Sequence, residues 1–92
     1  MPGRLSRARM ESPRQRFLAE GVVAMTGRLV GQAMDQAWGD VARTLRTRRR
    51  LLADLERAQT GCQHEASCLR ALRSVVLESE CVVNQLRPVA SA

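Results

Sequence analysis

Cys62, His64 and Cys68 are the residues whose types and spacing most suggest chemistry. A thiol beside an imidazole is the raw material of a metal site or of an activated nucleophile. A metal would need a fourth ligand, the spacing matches none of the usual zinc patterns, and no second Cys/His pair follows. As a nucleophile pair the group lacks an orienting acid and an oxyanion hole, and His64 is the only histidine. A Cys62–Cys68 disulfide is sterically open if residue 62 sits in a turn, but a reducing cytosol disfavours it. Glu78 and Glu80, two apart, point to different sides of a helix and do not form a paired-carboxylate centre. There is no phosphate-binding glycine loop and no dinucleotide fingerprint. The expectation is a protein that is not an enzyme, with no metal, no cofactor, and thiols that behave as small apolar side chains.

The second chemical feature is arginine. The chain carries a net charge of +6 from 15 basic residues, every one of them Arg. Lys, Ile and Tyr are all missing, which reads first as a GC-rich genome and only second as function. Residues 1–16 hold five of the arginines, so the rest of the chain is only weakly basic. The run Arg43, Arg46, Arg48, Arg49, Arg50 is the densest. Arg43, Arg46 and Arg50 share one face of a helix and could meet phosphates or an acidic protein. No aromatic residues interleave for base stacking, and Asp40, Asp54 and Glu56 lie near enough to pair with the run. A solvated helix face is the plainest reading. A charged rim for an acidic partner comes next, and nucleic acid last.

These side chains must be carried by helices. Aromatics are nearly absent, the apolar load is Leu, Val, Ala and Met, and no strand pattern or internal repeat is present. Ser12-Pro13-Arg14-Gln15 reads as a helix start, with Ser12 as cap, Pro13 at the first position and Gln15 completing a capping box. Leu18, Val22, Met25, Leu29 and Gln32/Ala33 then mark one face of a helix over about 13–36. Gly21, Gly27 and Gly31 interrupt it, a pattern that suits close approach by a neighbouring helix. The boundary falls at Asp35–Asp40. Either Asp35 caps the second helix, or Gly39 ends the first and Asp40 caps the second. Trp38, Val41, Leu45, Arg48, Leu52 and Leu55 form the second stripe, over about 38–59, with Arg48 its only polar member. Thr60-Gly61 ends it. Leu69, Leu72, Val76, Ser79, Val83 and Leu86 form the third, over about 65–86, closed by Pro88.

The fold class expected is therefore all-α, a three-helix domain over 12–87 built on a long antiparallel helical hairpin of the second and third helices, with the first packed along it. Residues 1–11 read as a disordered basic extension, with Met10 an alternative start, and 88–92 as a frayed tail. No secretory signal precedes the cysteines and no stretch suits a membrane span, so a cytoplasmic location is expected. Cys68, Val75 and Val82 on one flank, with Leu51 and Leu77 elsewhere, are surplus to a core this small. Surplus apolar surface marks a partner site or a homodimer interface.

The stretch from Met25 to Leu86 resembles the FliT type of flagellar type III export chaperone. The residues that carry the resemblance are a first helix with Leu18, Val22, Met25 and Leu29, the junction Ala33-Met34-Asp35-Gln36-Ala37-Trp38-Gly39-Asp40-Val41, the segment Arg49-Arg50-Leu51-Leu52-Ala53-Asp54-Leu55, and Cys68-Leu69-Arg70-Ala71-Leu72 with Leu77-Glu78-Ser79-Glu80. The resemblance implies a protein client, the C-terminal helical part of the filament-cap protein, kept soluble until export, with contacts to the export machinery. It implies a partner groove on the second and third helices, formed here by Leu45, Leu52 and Leu55 opposite Leu69, Leu72 and Val76. The family's fourth helix, which folds over that groove, has no counterpart after Pro88. Two rivals stand beside this reading: a small basic nucleic-acid-binding or transcription-modulating protein, and a structural helical dimer.

Overall fold

The computed structural model describes residues 12–88. The expected basic extension, residues 1–11, and residues 89–92 of the tail lie outside the described residues. Within them all regular structure is helical: α1 (Pro13–Met34), α2 (Trp38–Arg57) and α3 (Gln63–Leu86). The molecule is an all-α three-helix domain with antiparallel hairpin packing. The backbones come closest where α1 lies against α2 and against α3, so α1 and not the expected pairing of the second and third helices provides the close hairpin packing. None of the described helices is long and apolar enough to cross a membrane.

The three heptad stripes turn inward. Leu18, Val22, Leu29 and Ala33 of α1, Val41 and Leu55 of α2, and Leu69, Val76 and Val83 of α3 are buried. Each of the buried leucines and valines contributes about 1.5–3 kcal/mol on leaving water. The core has two apolar centres. Leu29, Ala33, Val41 and Val83 gather at one end, with Trp38 and Leu45 against them. Leu18, Leu55 and Leu69 gather at the other, with Ala19, Leu51, Leu52 and Leu72. Leu51 is thus core and not surplus.

The polar intruders in the stripes meet one another. Arg48 is 1% exposed. Its Nη1 donates to Thr26 Oγ1 of α1 at 3.0 Å and to Ser79 Oγ of α3 at 2.7 Å, and its Nη2 donates to Glu80 Oε2 at 3.0 Å. One guanidinium therefore ties all three helices. Burial lowers its pKa and the Glu80 carboxylate opposes that shift. The bonds at Nη1 and Nη2 offset much of the cost of burying the charge, while Nε is buried with no hydrogen-bond partner.

The helix ends depart from the sequence expectation in three places. Ser12 does cap α1, its Oγ accepting from the Gln15 N–H at 3.2 Å. The Gln15 side chain does not complete the box. It leaves the helix and donates to the Ala58 carbonyl at 3.1 Å and to Glu65 Oε2. At the first junction neither proposed cap acts. Gln36 takes a left-handed conformation, φ 60°, with its N–H on the Ala33 carbonyl and that of Ala37 on the Gln32 carbonyl. That is a Schellman ending, with Gln36 where glycine is usual. Ala37 is the N-cap of α2 and offers no side-chain bond, while Gly39 and Asp40 sit inside its first turn. Finally, α2 ends at Arg57 and α3 begins at Gln63, two residues earlier than its stripe suggests, after a turn in which Gly61 has φ 91°.

Close approach explains one glycine of three. A Cβ on Gly21 would lie 3.0 Å from Leu51 Cδ1, whereas Gly27 and Gly31 face open space.

Candidate functional site

The start of α1, the end of α2 and the start of α3 meet at one end of the bundle. Glu65 organises that junction. It is the third residue of α3, so its carboxylate can turn back to the loop before the helix. Oε1 accepts from the Thr60 N–H at 3.0 Å, from the Thr60 hydroxyl at 2.5 Å and from the Cys62 N–H at 3.2 Å, and Oε2 accepts from Gln15. The residue is fully buried. The Thr60 hydroxyl, then Gln15 and the loop N–H groups, hold its pKa down at about 2 against an ordinary 4.5, overcoming the opposing effect of burial.

Beside this polar knot lies an apolar recess of about 270 Å³. Ala19 of α1, Leu55 of α2 and Cys68, Leu69, Leu72 and Val75 of α3 form most of its wall, with Gln15, Gln59 and Glu65 at its polar end. It opens to solvent along the flank of α3. There Cys68, Val75 and Val82 recur every seven residues, and Leu72, Ser79 and Leu86 interleave with them. Val75, Val82 and Leu86 are 44%, 42% and 44% exposed. Thus α3 carries two heptad seams that share Leu72, Ser79 and Leu86. Leu69, Val76, Ser79 and Val83 are sealed in the core, whereas Cys68, Val75, Val82 and Leu86 form an exposed, largely apolar stripe. Such a stripe is the feature that lets one helix dock along another.

The six expected groove residues separate. Leu55, Leu69 and Leu72 line the recess, and Leu52 packs on the same apolar centre. Val76 is buried in the interior. Leu45 belongs to the opposite centre, ten residues and so roughly 15 Å along α2 from Leu55. The recess does not include Leu45 or Val76 and so differs from the expected trough between α2 and α3. It lies at one end and continues along the α3 flank, with α1 as a wall. Gln15, Ala19 and Gln59 were missed. The surplus apolar flank, Cys68 with Val75 and Val82, was the sequence signal that pointed there.

Arg43, Arg46 and Arg50 do share a face, and with Thr47 they line a separate shallow depression. They are not the rim of the recess. Helical periodicity puts them opposite Val41, Arg48 and Leu55, the core side of α2. Arg43 is bonded to Asp40. Cys62, His64 and Cys68 form no metal-ligand cluster among the described residues: Cys62 caps α3, while His64 and Cys68 are exposed. No disulfide joins Cys62, Cys68 or Cys81. Compared with protein-family models, curated proteins and solved structures, the chain matches none.

Proposed function

We propose that this chain is a protein-binding protein without catalysis of its own, a chaperone that shields a helical segment of another protein. The observation that carries this reading is the open apolar recess continuous with an exposed heptad seam on α3. A helix laid along that seam would bury side chains that water now covers, the helix-in-groove mode of recognition. The resemblance to FliT-type chaperones supplies the client: the C-terminal helical segment of a flagellar filament-cap protein, held in the cytoplasm and released at the export machinery.

A calorimetric titration of the chain with that segment tests the reading. Saturable binding to the wild type is expected, with a loss of at least tenfold in the Val75→Asp variant, whose substitution sits on an exposed position and leaves the core intact. Failure of the segment to bind would contradict it. The Arg43, Arg46 and Arg50 depression favours nucleic acid as the second reading. Binding that falls steeply between low and moderate salt would support that reading instead.

A further inference from the structure

The outer side of α2 carries charge that the recess does not. Arg43, Arg46, Thr47 and Arg50 line one shallow depression there. Arg28 of α1 joins Arg43, Thr47 and Asp40 in a second. The two depressions share Arg43 and Thr47, so they form one continuous face across α1 and α2. All four arginines are exposed. Asp40 is the one carboxylate among the lining residues, and Arg43 pairs with it. The guanidinium groups of Arg28, Arg46 and Arg50 have no carboxylate partner among the described residues. Arg43 and Arg50 stand about 10 Å apart along the helix, with Arg46 between them. We infer that this face is a phosphate-backbone site for duplex nucleic acid. The inference rests on the second of the two readings above and adds to it the strandedness of the ligand and the part of Arg28.

The chemistry of the face separates duplex phosphate from other anionic partners. Met25 is the one apolar residue that lines it. An acidic protein helix would find no apolar centre to bury against, and protein interfaces depend on one. An anionic membrane is a poorer ligand for the same reason, because no apolar side chains are placed to enter the headgroup layer. Neither aromatic residue of the chain, Phe17 or Trp38, lines the face, so the stacking that holds single strands is missing. A duplex needs none of these. It presents phosphates densely along both strands, and each phosphate met releases condensed counterions, which supplies affinity from charge alone. Guanidinium groups match phosphate oxygens in a planar fork.

The test is fluorescence anisotropy of the full chain with short fluorescein-labelled duplexes of mixed sequence, one DNA and one RNA, between about 50 and 200 mM salt. The matching single strand and a labelled oligoglutamate peptide are the comparisons. Binding to at least one duplex is expected, tighter than to the single strand or the peptide. Each phosphate contact adds about 0.9 to the steepness of log affinity against log salt. Arg46→Gln with Arg50→Gln should therefore make that slope shallower by about 2, and adding Arg28→Gln by about 1 more. Arg70→Gln removes the same charge from an exposed position on α3, outside the face, and should leave the slope unchanged. Helicity of each variant is checked by circular dichroism and is expected to hold, because every substituted side chain is exposed. An equal effect from Arg70→Gln, or tighter binding of the single strand or the peptide, would overturn the inference. If a duplex binds and the triple variant keeps the wild-type slope, the inference falls and the nucleic-acid reading stands. If no nucleic acid binds, both fall. Val75→Asp, on the flank of the recess, should leave duplex binding unchanged, which keeps this test apart from that of the helical client.

Discussion

At the residue scale the polar side chains decide how the helices register. Leucine stripes attract one another over a range of offsets, but Arg48 meets Thr26, Ser79 and Glu80 in only one. Glu65 fixes the end of the bundle in the same way. Its folded pKa lies below the unfolded value, so the unfolded chain binds the proton more readily. The stabilisation is therefore full above pH about 4.5 and is lost as pH falls toward about 2. At neutral pH it amounts to roughly 3 kcal/mol. Urea denaturation of wild type and Glu65→Gln should show a large gap at pH 7 that shrinks by about half or more at pH 3. Equal gaps at the two pH values would mean that the carboxylate charge does nothing there. Arg48 was legible as an anomaly in its stripe, and Ser79 as a member of the third. Their pairing was not, because helix register does not follow from periodicity. The role of Gln15 was misread for a related reason: the local capping box and the long-range bond to Glu65 compete for one amide, and sequence proximity favours the wrong one.

At the element scale the helices were legible almost to their ends, because apolar steps of three and four leave little choice of period. The junctions were not. A Schellman ending on Gln36 has no sequence mark when glycine is absent from the left-handed position. The glycines of α1 show the same limit. Spacing groups Gly21, Gly27 and Gly31 together, yet only Gly21 faces a neighbour, Leu51. Gly27→Ala and Gly31→Ala should each stabilise the fold by about 0.5–1 kcal/mol, the ordinary helical gain over glycine. Gly21→Ala should gain less or lose, since the Leu51 methyl must move. Thermal denaturation of the three variants separates them, and three equal gains would show that α1 and α2 do not approach closely at Gly21.

At the scale of the whole molecule the all-α class and the inward faces followed from the sequence, and the position of the apolar recess did not. The recess draws its wall from three helices, so no single stripe reveals it. The surplus flank of α3 was visible as a count of apolar positions too many, whereas the α2–α3 trough inferred from the resemblance included Leu45 and Val76, which do not line the recess. The Arg43, Arg46 and Arg50 face likewise lies away from the recess. Charge there steers association over about a Debye length, roughly 8–10 Å at ordinary salt, and does not reach across the bundle at full strength. The measurement that bears most directly on the recess and seam is a map of backbone amide shifts in the isotopically labelled chain as the helical client segment is added. Shifts should concentrate at Ala19, Cys68, Leu72, Val75 and Val82. Shifts confined to Arg43, Arg46 and Arg50, or spread along Leu45 and Arg49 on the other side of the bundle, would contradict it.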